Sequence, residues 1–161
     1  MKNRVKALHR CLRRHSPPAK PEGLRALFDA VGPLVREFPT PSELKLRHCY
    51  EFTARAYGFD NWKALRDHII DRDMFYRPAA PIYVHRWFSS YAEARNFHEK
   101  NGGYLLYAWN DVLVCGTDYL RILGLDQLAA EWKAIAGDAV RPACARSWQR
   151  IKAKAIFNYT I

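Results

Sequence analysis

Cys115 has the most suggestive setting of any residue able to do chemistry. It closes the apolar run Val112-Leu113-Val114 just ahead of an expected helix start, where free N–H groups lower a thiol's pKa. His85, on a neighbouring expected strand, has the chemistry of its base. An apolar run is also where a cysteine packs as a small hydrophobe, and that reading is the favoured one. His9, Cys11 and His15 are metal-ligand types, but their i, i+2, i+6 spacing shares no helix face and a fourth ligand is missing. His48-Cys49 reads as packing plus surface. The acids of the second half, Glu93, Glu99, Asp111, Asp118, Asp126, Glu131 and Asp138, scatter over turns and helix surfaces rather than pairing for acid–base work. No glycine-rich phosphate loop, GxSxG elbow or HExxH helix occurs. The expectation is a protein without a catalytic site, metal or cofactor, with a small thiol enzyme using Cys115 as a lesser alternative.

Charge gives the stronger signal. The 161 residues carry a formal charge of +10 and a pI near 9.7, which favours polyanionic partners. Residues 1–40 hold nine Lys/Arg against three acids, and residues 141–161 hold five Lys/Arg and no acid. The middle, 41–140, is close to neutral, with twelve basic and thirteen acidic residues. The expected partner is therefore nucleic acid, contacted through Arg10, Arg13, Arg14, Arg146, Arg150, Lys152 and Lys154, with the two basic ends sharing one surface. An adaptor that binds an acidic protein is the alternative. Tyr83, Trp87, Tyr104, Tyr107 and Trp109 fall on expected strands and have the rings that stack single-stranded bases, although core packing is favoured for them. Strand alternation puts Tyr83, His85 and Trp87 on one side and Ile82, Val84, Arg86 and Phe88 on the other.

The four cysteines, Cys11, Cys49, Cys115 and Cys144, form no CxxC pair and read as reduced intracellular thiols. The basic start MKNRVKALHRCLRRHS lacks the apolar run of a signal peptide, and no stretch reaches the length of a membrane span. A soluble cytoplasmic protein is expected.

The elements that must position these residues follow from periodicity. Residues 2–15 form a basic amphipathic helix ended by Ser16-Pro17-Pro18. Residues 22–38 form a second, with a kink or break at Gly32-Pro33. A turn at Pro39-Thr40-Pro41-Ser42, with Thr40 or Ser42 as cap, leads into a helical hairpin over residues 44–70. Its first helix buries Leu46, Cys49, Tyr50, Thr53, Ala54 and Tyr57, Gly58 turns the corner, and Asp60 caps a second helix bearing Trp62, Leu65 and Ile69. Residues 72–81 read as a linker, made stiff by Arg77-Pro78-Ala79-Ala80-Pro81. Beyond it come a strand at 82–88, a helix capped by Ser89 or Ser90 and ended by Asn101-Gly102-Gly103, and strands 104–109 and 112–115 joined at Asn110-Asp111. Helices follow at 119–123 (capped by Thr117 or Asp118), 128–136 and 143–157. The sum is an α+β protein: a helical domain over 1–71, a linker, and a small β-α-β-β domain with C-terminal helices over 82–161.

Residues 46–68, LRHCYEFTARAYGFDNWKALRDH, also resemble a small helical module of the form L-x-x-x-x-E-x-x-A-R-x-x-G-F-x-x-W-x-x-L. It is associated with the amino-terminal ends of bacterial glyoxalase-related and ankyrin-containing proteins and with mobile-element proteins. Leu46, Glu51, Ala54, Arg55, Gly58, Phe59, Trp62 and Leu65 carry the match. The resemblance implies a docking or interaction module, of bacterial or mobile-element origin, without glyoxalase chemistry. A helix-turn-helix is a cousin reading, but its second helix turns Trp62, Leu65 and Ile69 towards a core rather than polar residues towards a groove.

Overall fold

The structure, a computed structural model, describes residues 1–14, 17–18, 22–36 and 43–160. It is α+β, and it divides into two units, Met1–His68 and Ile69–Ile161.

The first unit is helical. Helices α1 (Lys2–Arg13), α2 (Glu22–Val35) and α3 (Leu46–Ala56) converge on one core. Val5, Leu8 and Leu12 of α1 meet Leu24, Leu27 and Val31 of α2, with Leu44, Cys49 and Phe52 completing the cluster. Each such side chain withdrawn from water contributes about 1.5–3 kcal/mol before entropy is counted, so the stripe on each helix decides how the three pack. Pro33 sits inside α2, which runs on to Val35 without the break expected at Gly32-Pro33. The helix stops two residues later, so proline's missing N–H disturbs only the final turn. The expected extension to Phe38, the Ser16 end signal and the Thr40 and Ser42 caps lie outside the described residues.

At the hairpin corner Gly58 has φ +79, a conformation that Cβ penalises. Its N–H bonds the Arg55 carbonyl, and the Phe59 N–H reaches back to Ala54, both at 2.9 Å. These two bonds satisfy carbonyls that the helix end leaves open, as in a Schellman cap. Tyr57, expected in the core, is 45% exposed, while Phe52 is buried instead. The helix ends at Ala56, so Tyr57 leaves the register of the buried stripe. The next helix, α4 (Trp62–Asp73), starts with Asn61 rather than Asp60 as its cap. Asn61 Oδ1 accepts from the Ala64 N–H at 2.9 Å, and Glu51 Oε2 accepts from the Trp62 N–H at 3.2 Å. A helix beginning at Trp62 puts residue 61, not 60, within reach of its N3 amide. Trp62 packs on Tyr50 with centroids 4.5 Å apart, and Phe59 packs on His68 at 5.0 Å.

The second unit is built on a three-stranded antiparallel sheet. Strands β1 (Val84–Phe88), β2 (Tyr104–Ala108) and β3 (Asp111–Cys115) lie in the order β1-β3-β2. Residues 82–83, expected to begin the first strand, belong instead to a 3-10 turn, Pro81–Tyr83. Trp109, expected on β2, takes φ +57 in the hairpin turn. Its indole N–H donates to Asp73 at 3.0 Å. Helix α5 (Tyr91–Asn101) covers one face through Ala94, Leu105, Val112 and Val114. The other face joins Leu106, Leu113 and Cys115 to Met74, Phe75, Tyr119, Leu120, Leu123, Trp132, Ile151 and Ala155. Because both faces are covered, both alternating sets of β3 side chains are buried.

Helices α6 (Thr117–Leu123), α7 (Ala129–Ala134) and α8 (Ala145–Thr160) build the far layer. Helix α6 begins two residues earlier than expected, with Gly116 in the cap position and Thr117 as its first residue. A Cβ at Gly116 would stand 3.2 Å from His85 Nε2, so the ring of His85 occupies the space a capping side chain needs. Met74, Phe75 and Ala80, inside the stretch expected to be a linker, are buried, and the division between units falls after His68. Among the described residues no helix is long and apolar enough to cross a membrane.

Candidate nucleic-acid interface

Helices α1 and α8 share one chemical property. The segments KNRVKALHRCLR and ARSWQRIKAKAIFNYT contain no acid. On α1, Val5, Leu8 and Leu12 face the core, while Lys2, Lys6, Arg10 and Arg13 are exposed, as is Arg14 at its end. On α8, Ile151 and Ala155 are buried, while Arg146, Arg150 and Lys154 are exposed. The exposed cations recur every three or four residues, which puts one on each turn, about 6 Å from the next along the axis.

The residues expected to bind phosphate differ in what holds them. Arg150 Nη1 lies 3.0 Å from Glu131 Oε1, and that hydrogen bond keeps the Glu131 carboxyl below its ordinary range. Lys152 is on another side of α8, 2.5 Å from Asp71. Lys154 lies 5.2 Å from the Phe157 ring centroid, a cation–π contact. Among the described residues neither Arg146 nor Lys154 pairs with a carboxylate, and the same holds for every cation of α1. Arg10, Arg13 and Arg14 lie in the first unit, and the other four lie in the second.

Lys154 also lines a groove of about 380 Å³ with Arg77, Arg121, Gln127 and Asn158. Asn158 forms one wall by donating to the carbonyls of Leu123 and Gly124 at 2.8 and 3.1 Å. Gly124 is required here. Its φ is +66, and a Cβ would fall 2.7 Å from the Asn158 amide nitrogen. Arg77 donates to the carbonyls of Met74 and Tyr76, and its guanidinium lies 5.7 Å from the Tyr159 ring centroid. Arg121 bonds Asp118 at 2.7 Å. Three cations and two amides line the groove without a carboxylate in its wall. Such a lining accepts phosphate or another anion. Arg77, Arg121, Gln127 and Asn158 escape a reading of charge blocks because they come from separate stretches, the segment after α4, α6, the turn that follows it and α8, which meet only in the fold.

Cys115 is fully buried, and burial pushes its thiol pKa up to about 12. That keeps it protonated, the opposite of an activated nucleophile. Cys49 is raised to about 11 by the same cause. Cys144 moves the other way. It sits just before α8, where hydrogen bonds from Ser147 lower its pKa. His9 Nε2 bonds the Leu44 carbonyl at 2.8 Å, and His15 lies outside the described residues. Among the described residues no three His, Cys, Asp or Glu side chains cluster as metal ligands would. Of the strand aromatics, Tyr104 and Tyr107 pack edge-on against Trp132 and Phe75, whereas Tyr83, Trp87 and Trp109 are exposed.

No family model, curated protein or solved structure matches this chain.

Proposed function

We propose that this protein binds nucleic acid without catalysing a reaction on it, as an accessory protein in a reducing, intracellular setting. The observation that carries the reading is the pair of acid-free helices, α1 and α8, each presenting a cation on successive exposed turns. Phosphate contacts release condensed counterions, and a row of cations at helical spacing can follow a backbone without reading sequence. Arg10, Arg13 and Arg14 serve on α1, and Arg146 and Lys154 on α8. Arg150 and Lys152 join only by leaving Glu131 and Asp71. The groove of Arg77, Arg121 and Lys154 adds a place for one phosphate, with Arg121 joining only by leaving Asp118. The resemblance of residues 46–68 to modules of bacterial and mobile-element proteins fits an accessory role. A mobility-shift titration against DNA and RNA at two salt concentrations is the test. A shift at low salt that fades as salt rises supports the reading, and no shift with either nucleic acid at low salt removes it.

A further inference from the structure

The outer side of β1 differs from every other margin of the sheet. The outer side of β2 is closed by the stretch after α7. The Leu105 N–H donates to Gly137 O at 2.8 Å, and the Ala139 N–H donates to Leu105 O at 2.9 Å. Among the described residues nothing pairs with the outer side of β1. Exposed aromatic rings lie on this strand, just before it, and against it. Trp87 is 39% exposed, Tyr76 37% and Tyr83 42%, and the Tyr76 and Trp87 rings meet at 73° with centroids 6.0 Å apart. The same unit buries Phe75, Tyr119 and Trp132 almost completely.

Charge indicates the occupant. Residues 74–92 contain Arg77, Arg86 and His85 but no acid. Arg77, adjacent to Tyr76 in the chain, lines the groove shared with Arg121 and Lys154. Aromatic faces beside cations suit a chain that offers flat rings and phosphates together. A duplex hides its rings in its own stack, whereas a single strand leaves them available.

We infer that this surface selects single-stranded nucleic acid, stacking unpaired bases on Trp87 and Tyr76 while Arg77 and its groove take the adjoining phosphate. The inference rests on the nucleic-acid reading above and narrows it to one class of ligand. Stacking accepts any base, so discrimination among sequences is weak and that between single and double strands is strong.

The experiment compares an oligothymidine of about 15 nucleotides with a duplex of the same length, at low salt, by anisotropy and by intrinsic tryptophan fluorescence. The single strand binds about tenfold more tightly and quenches the fluorescence. Trp87→Ala lowers single-strand affinity about tenfold and leaves duplex affinity unchanged. Trp87→Phe, which keeps a stacking ring, restores the affinity but loses most of the quench. Equal affinity for the two ligands, untouched by Trp87→Ala, sinks the inference and leaves the broader proposal standing. Binding of neither ligand removes both. A loss by Trp87→Ala on both ligands with a lowered melting temperature assigns Trp87 a structural role and overturns the inference. So does a quench that follows protein concentration without DNA, since that marks a second copy on the edge.

Discussion

Helices α1 and α8 carry the same kind of sequence, but their surroundings treat it differently. Both are free of acid, and both bury an apolar stripe beneath exposed cations. On α1 no cation meets a carboxylate among the described residues. On α8 the neighbouring elements supply two, Glu131 to Arg150 and Asp71 to Lys152. A cation already paired must surrender its partner before it can meet a phosphate, so equal charge does not give equal readiness. The acids that decide this come from α4 and α7, so inspection of α8's own sequence does not reveal them.

Each helix also has a cysteine at hand, Cys11 on α1 and Cys144 beside α8, both partly exposed. Thiol labelling therefore reads the comparison directly and has the largest expected contrast. At pH 8 Cys144, partly exposed and with its lowered pKa, reacts far faster than the buried Cys115, whose pKa of about 12 leaves almost no thiolate. Bound nucleic acid slows labelling at Cys11 and Cys144 alike. Protection at only one, measured by mass spectrometry, confines the interface to one helix.

Salt gives the next largest effect. With about five phosphates contacted, raising salt from about 50 to 200 mM weakens single-strand binding about a hundredfold, and a flat salt profile rules out the phosphate row. Replacing cations then separates the paired from the unpaired. Arg146→Ala with Lys154→Ala lowers affinity about tenfold and reduces the salt slope by about two, whereas Arg150→Ala or Lys152→Ala alone lowers affinity less than about twofold. Equal losses at all four positions break the distinction between paired and unpaired cations. The smallest effect is a gain. Glu131→Gln frees Arg150 and tightens binding about twofold at neutral pH. The Glu131 carboxyl titrates below its usual value, so its pairing with Arg150 is intact at neutral pH and is lost only as pH falls through that lowered value. The gain in the variant accordingly disappears in acid, where the parent protein's Arg150 is also released.

Local signals in the sequence carry the architecture well. Apolar periodicity places the helices, Gly58 turns the corner with the positive φ expected of it, and the expected hairpin forms one residue earlier, turning at Trp109-Asn110 rather than Asn110-Asp111 because Asp111 already pairs with Ala108. The errors cluster where a distant residue intervenes. Gly116 takes the cap position of α6 instead of Thr117 or Asp118, and the His85 ring, from far along the chain, lies 3.2 Å from where its Cβ would stand. Residues 74 and 75 look like part of a linker because Pro78 and Pro81 dominate the stretch, yet Met74 and Phe75 are fully buried. The candidate interface is half legible for the same reason. Cation spacing along α1 and α8 can be read directly, whereas the groove needs Gly124 to admit Asn158 from far along the chain, and the pairing of Arg150 needs the position of α7.

The short stretch sealing the outer side of β2 has a consequence for self-association. With the main-chain groups of Leu105 taken on that side, β1 is, among the described residues, the margin more open to another strand. Two copies meeting there cover the β1 margin of both. Pairing of two copies through β1 is self-complementary, which favours a closed twofold pair over a growing row.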